Sequence, residues 1–286
     1  MRVPPGSTVV PTTEHITMRI VVAVKYVPDI HADRRFDAGR VVRSSEEGTL
    51  NELDENAIEA ALRIVESLPE DEQATSEVVV LTMAGPEADT AIRKAFQMGV
   101  GRGVRVSDEA LAGSDYFGTV RTLAAAIRRL EQEGPVDLVL TGMAALDGLG
   151  SVVPVLLAAE LDLPQLTLAG KLEVDTEART AQVTRELDDA LEVLSAPLPA
   201  VVSVTDHANW PRFPNFKLIM AARTQPIDVW DLADLGLDPA TVGDAGARTR
   251  VLAATPRPPR PEVEVVVDKG EGGRALAEFL IRNDLV

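Results

Sequence analysis

Two glycine-bearing stretches, "MAGPEA" at 83–88 and "TGMAALDGLGS" at 141–151, hold the residue types best suited to chemistry. Ala84 and Gly85 precede Pro86, a residue that fits the first turn of a helix, so backbone N–H groups there are open to an anion such as phosphate. Gly142, Gly148 and Gly150 surround Asp147 and Ser151 ahead of a second helical run and form a similar loop. Neither stretch is a GxxxxGK[ST] or GxGxxG fingerprint, and a tight turn into a capped helix accounts for "MAGPEA" equally well. Two further strand-end stretches, "KYVPD" (25–29) and "LNELDENA" (50–57), are candidates to line the same crevice.

Other reactive residue types lead to plainer readings. His15, His31 and His207 have no second histidine nearby in sequence, which fits solvated loops better than metal ligation. Lys25 stands at a strand end with only Asp29 close by, so a positioning role is preferred to acid–base chemistry. Glu70/Asp71 and Asp188/Asp189 read as solvated turns, and "ATPRPPRPEV" (254–263) as a structural or linker segment. With no cysteine, disulfides, thiolate chemistry, Fe–S clusters and Cys-based zinc sites are excluded together.

"NWPRFPNF" (209–216) is unusual in a chain only 3% aromatic: Trp210, Phe213 and Phe216 share a stretch that two prolines keep from regular structure. A net charge of −17 argues against nucleic acid and acidic membrane surfaces as partners. At 286 residues and 45% hydrophobic, the chain can bury a sizeable core, and no stretch reaches the roughly 20 apolar residues of a membrane span. Residues 1–17 lack the apolar core of a signal peptide and read as a disordered extension or a mis-called start ahead of Met18.

The elements that must position these residues alternate. Strand-like runs at 19–27, 76–84, 103–106 and 136–142 are interleaved with helical patterns at 53–68, 86–98, 114–132 and 152–161. This predicts an α/β fold, a doubly wound and mostly parallel sheet of three layers, for residues 18–225. Successive strand signals from Leu166 predict antiparallel edge strands on that sheet. Residues 226–286 have too few clustered apolar residues for a core of their own, and are expected to form an arm and helix on a partner subunit.

Six segments in order, "IVVAVKYVPD", "NELDENAIEAAL", "AFQMGVGRGVRVSD", "VDLVLTGMAALDG", "LPAVVSVTD" and "PRFPNFKLIMAAR", resemble the β subunit of electron transfer flavoprotein. The resemblance spans Met18 to about Gly236 and is looser beyond. It implies a bacterial cytoplasmic electron carrier, not an enzyme, paired with a homologous α subunit, serving acyl-CoA dehydrogenases of fatty acid β-oxidation and a quinone oxidoreductase. FAD would lie mainly on the α subunit, and a structural AMP on this chain. By position the AMP contacts are Ala23, Asn51, Glu52, Leu53, Asp54, Ala84, Gly85, Gly142, Asp147, Gly148, Gly150 and Ser151. Ile30 and Leu53 would approach the flavin. Residues 206–220 would be a recognition loop, with Phe216 as its anchor beside Trp210, Arg212 and Phe213. Ring size alone favours packing Trp210 and Phe213 back onto the domain.

The chain departs from the family where Glu52 replaces a proline, where "DGLGSV" stands for D-G-D-T-G-Q, and where "ARTQ" leaves Arg223 in place of a lysine cluster. Individual AMP contacts and electrostatic steering by that cluster are correspondingly weakened expectations. Alternatives are a stand-alone universal-stress-type nucleotide module, whose late Gly-x2-Gly-x9-Gly-Ser/Thr loop is missing, and an ATP pyrophosphatase, whose Ser-Gly-Gly-x-Asp-Ser loop is replaced by "KYVPDI". A bifurcating flavoprotein with FAD in place of AMP stays open.

Overall fold

The computed structural model describes residues 17–255 apart from 33, 38 and 45, then 258, 259, 263 and 265–286. The extension up to residue 16, His15 included, and much of "ATPRPPRPEV" lie outside the described residues.

β1 (Arg19–Ala23) is buried on both faces, Ile20 and Val22 toward one layer, Val21 and Ala23 toward the other. A β-branched run without polar alternation requires such burial. The strand expected over 19–27 ends early, and β2 (Tyr26–Pro28) leaves the sheet. β3 (Phe36–Asp37) and β4 (Arg40–Val41) form a two-residue hairpin, and β5 (Gly48–Leu50) returns antiparallel to β2. Alternation then follows the sequence pattern closely: α1 (Glu52–Glu66), a short α2 (Glu70–Ala74), β6 (Glu77–Met83), α3 (Asp89–Met98), β7 (Arg102–Val106), α4 (Tyr116–Glu131), β8 (Leu138–Gly142) and α5 (Val153–Leu161). α3 stops at Gly99, whose φ of 118° only glycine adopts readily.

β9 (Gln165–Ala169) precedes three strands, β10 (Lys171–Asp175), β11 (Thr180–Glu186) and β12 (Leu191–Pro197), before β13 (Ala200–Val204) re-enters the core. The central sheet runs β9–β13–β8–β1–β6–β7 and is closed by β14 (Asp228–Trp230), with every pairing parallel. The antiparallel strands β10–β11–β12 therefore form a sheet of their own, where the sequence had placed them at the edge of the parallel one. The difference is written in their side chains. β10 and β12 alternate between half-buried and exposed residues, as a one-sided sheet demands, whereas β13 is buried throughout.

α1 and α3 cover one face of the central sheet, α4 and α5 the other. From β1 the chain moves to β6 and β7 on one side, then crosses to β8 on the other. The reversal opens a crevice beyond the carboxyl ends of β1 and β8.

Between β13 and β14 lies α6 (Phe216–Ala222), and α7 (Gly243–Gly246) follows β14. The arm expected from residue 226 begins only at Ala253, because residues 226–252 belong to the compact unit. Trp230, Leu232 and Val242 are buried in the layer with α4, and the Arg129 guanidinium lies 4.8 Å from the Trp230 ring centre. Three apolar anchors and a ladder to β7 suffice where a separate core was out of reach. The second unit, Ala253–Val286, contains α8 (Gly272–Arg282), in which no residue is buried. No described helix is long and apolar enough to cross a membrane.

Candidate functional site

The crevice is organised by Asn51, which precedes α1 and is wholly buried. An asparagine there ordinarily caps the helix, yet this side chain makes no cap bond. Its Nδ2 donates to the Ala144 carbonyl at 2.9 Å and its Oδ1 accepts from the Leu146 N–H at 3.0 Å. The start of α1 is thereby stitched to the loop after β8. Asn51 N–H also donates to the Lys25 carbonyl at 2.9 Å, and Lys25 N–H donates to Asp54 Oδ2 at 2.8 Å. Three strand-end segments, 23–25, 51–54 and 142–147, thus meet around two buried polar side chains.

Burial pushes the Asp54 carboxyl up to about 7, despite hydrogen bonds from Asn51, Lys25 and the Gly142 backbone that favour its charged form. Gly142 is required by this packing: a Cβ there would lie 2.6 Å from both the Leu53 carbonyl oxygen and Asp54 Oδ1. At Gly85 the atoms nearest a Cβ would be the carboxylate end of the Glu87 side chain. Ala84 and Gly85 follow β6, the strand beside β1, and Ala84 N–H is spent on the Val106 carbonyl at 3.0 Å.

Beyond Gly142 the loop is strained. Leu149 and Ser151 adopt left-handed φ values of 48° and 52° without being glycine, a conformation that costs about 1–3 kcal/mol each. Ser151, with its left-handed φ, is followed by Val152 in the right-handed region, the kind of alternation from which anion-binding nests are built. Gly148 faces open space, whereas Gly150 packs under the Tyr116 ring. At the head of this loop the Asp147 side chain is only 1% exposed, covered by Lys25 Nζ at 2.8 Å and by Arg43, whose Nε donates at 2.9 Å. Burial works against its charge, but the two cations hold the carboxyl below its ordinary range. Backbone donors and convergent cations fit a phosphate-bearing ligand.

The second feature is the aromatic loop. Trp210, Phe213 and Phe216 are 88%, 94% and 78% exposed. The expected packing of Trp210 and Phe213 onto the domain does not occur, because the loop is held by its polar residues instead. Asn56 and Asn209 exchange side-chain-to-backbone bonds of 2.9 Å each. Arg212 turns inward, with Nε 2.7 Å from Glu59 Oε2 and Nη1 2.5 Å from Glu66 Oε1. Burial opposes ionisation of Glu59, yet Arg212 and Arg63 hold its carboxyl below the usual range. Phe216 opens α6, which Asn215 caps by accepting from Leu218 N–H at 2.9 Å.

Of the other sequence candidates, Ala23 ends β1 in the crevice, Glu52 is exposed, Leu53 is half-buried and Ile30 is exposed beyond β2. Lys25 pairs with Asp147, not with the sequence-adjacent Asp29. His207 lies 3.4 Å from Glu186, and among the described residues no cluster could hold a metal ion. Sequence reasoning missed Arg43 and Glu59, whose partners lie 104 and 153 positions away in the chain.

Comparison with known proteins shows the family. The model of the electron transfer flavoprotein domain matches residues 38–235. The chain is 40% identical over 270 residues to the electron transfer flavoprotein subunit beta of Mycobacterium tuberculosis (strain ATCC 25618 / H37Rv), covering 93% of this chain and 99% of that one. It is 34% identical over 251 residues to the caffeyl-CoA reductase-Etf complex subunit CarD of Acetobacterium woodii, covering 87% and 92%. Protein FixA of Azotobacter vinelandii is 31% identical over 252 residues, covering 86% and 88%.

Proposed function

The chain belongs to the electron transfer flavoprotein β-subunit family, and we propose that it is the β half of a heterodimeric electron carrier that docks flavin-dependent dehydrogenases. On this reading the α subunit holds most of an FAD at the subunit junction, with Ile30 and Leu53 approaching it from this side. The FAD, when bound, accepts and releases the electrons. This chain supplies the frame: a structural AMP in the crevice between β1 and β8, held by the loop 142–151 and the start of α1, and a docking loop tied to α1 through Asn56, Glu59 and Glu66. The arm from Ala253, with Leu276, Phe279 and Ile281 exposed on α8, would cover the α subunit. Acyl-CoA dehydrogenases are the donors and a quinone oxidoreductase the acceptor. The name of the Acetobacterium relative, part of a caffeyl-CoA reductase-Etf complex, supports a CoA-thioester enzyme as the kind of partner.

The observation that carries the proposal is the display of three large rings on a loop anchored by Arg212 to the buried Glu59. Rings that fold back contribute to the core; rings held out by an Arg212–Glu59 bridge contribute to nothing in this chain. A preorganised aromatic loses little conformational entropy on docking and makes a strong hot spot. Phe216→Ala should remove roughly 2 kcal/mol of partner binding, about a thirtyfold loss of affinity. Reduction by a cognate dehydrogenase should slow, while reduction by dithionite and the melting temperature should stay unchanged. A lowered melting temperature with normal dehydrogenase kinetics would refute a docking role.

A further inference from the structure

We infer that Arg43, carried by the segment after the β3–β4 hairpin, is a phosphate ligand of the nucleotide crevice, and that Asp147 is the internal carboxylate it releases when the nucleotide enters. The inference rests on the proposed nucleotide reading and adds a residue that lies outside the strand-end loops.

Three observations converge on it. Lys25 and Arg43 both pair with Asp147, so two positive charges share one carboxylate. The next carboxyl, Asp54, is pushed up to about 7 by burial, so at neutral pH it is about half protonated and offsets only part of that excess. A small positive excess in the crevice of a chain of net charge −17 favours an anion there. The strained loop that begins at Asp147 carries the Ser151–Val152 alternation, so the carboxylate that gathers the two cations and that alternation belong to one loop.

The segment that carries Arg43 is also suited to exchange. β3 and β4 pair over only two residues each, and the hairpin is tied to the rest of the unit by side chains: Arg40 to Asp244, Arg43 to Asp147, and Tyr26 Oη donating to the Ser44 carbonyl at 2.6 Å. The Tyr26 bond fixes the backbone beside Arg43 and leaves its guanidinium free to turn between acceptors. An arginine presents a planar fork that matches a phosphate as well as it matches a carboxylate. Asp147 keeps Lys25 when Arg43 leaves, so it is not stranded without a partner.

The test uses the full chain in complex with its α subunit, freed of bound nucleotide, and reads the rise in melting temperature against concentration of AMP or of adenosine. Arg43→Gln is expected to weaken AMP about tenfold or more at low salt, in line with a lost charge-assisted hydrogen bond. It should leave adenosine unchanged, because only AMP carries the phosphate. Arg35→Gln, which removes an exposed charge of the same segment paired to Glu47, should behave as the unmodified protein. Arg43→Lys should recover part of the AMP affinity. Equal AMP affinity in Arg43→Gln and the unmodified complex, or equal losses for AMP and adenosine, would overturn the role of Arg43 as a phosphate ligand. Failure of either compound to shift the unmodified complex would instead overturn the nucleotide reading on which it rests.

Discussion

Asp54 is a carboxyl whose protonation is coupled to folding. Its ordinary value is 3.8, and burial raises it to about 7 in the folded chain, so between those values the folded state holds a proton that the unfolded state has lost. Its contribution to stability is complete below the unfolded value and is lost as pH rises through the folded one, with nothing further above it. Asp54→Asn should flatten the fall in stability of the full chain between about pH 4 and 7, an effect of a few kcal/mol at most at ~1.4 kcal/mol per pH unit. Urea midpoints at pH 5 and pH 8 check this; the same difference in both proteins would exclude Asp54 as its source. Glu59 has the opposite sign. Its folded value is depressed by Arg212 and Arg63 against the cost of burial, so its contribution is present at neutral pH and is lost as pH falls through the acid range.

The loop after β8 and the start of α1 act as one element because Asn51 joins them and Gly142 lets them touch. Gly142→Ala should cost roughly 2–3 kcal/mol, since its methyl group would overlap the Leu53 carbonyl and rigid backbone must shift. Gly85→Ala should change stability by less than about 1 kcal/mol. Its φ of −71° and ψ of 179° suit any residue, and the neighbour in the way is the end of a flexible glutamate. Denaturant midpoints of the two variants separate them, and equal losses would contradict this account of the loop. Gly85 and Gly142 were legible in sequence because glycine and proline at a strand-to-helix junction are local signals. What distinguishes them was not, since the Leu53 carbonyl that crowds Gly142 belongs to another loop. The same limit hid Glu59, which reads in sequence as an ordinary polar position of α1 until Arg212 is folded against it. Continuous β-branched runs made β1, β6 and β8 readable as buried parallel strands. The place of β10–β12 was not readable, because alternation marks a one-sided strand without saying which sheet it joins.

At the scale of the whole molecule the chain is a compact unit through Leu252 followed by a second unit with no buried residue in its helix. Truncation after Leu252 should leave the melting behaviour of the compact unit within about 1 kcal/mol of the full chain, while co-purification with the α subunit is lost. Retention of the partner by the truncated chain would show that the arm does not hold it. The isolated full chain should be colourless, since the proposed function puts the flavin chiefly on the other subunit. The central claim is that this subunit holds AMP and frames a flavin that lies mainly on its partner. Co-expression with the α subunit, followed by denaturation and quantification of the nucleotides released per heterodimer, tests it most directly. One FAD and one AMP are predicted; two FAD, or one FAD with no adenine mononucleotide, would contradict it.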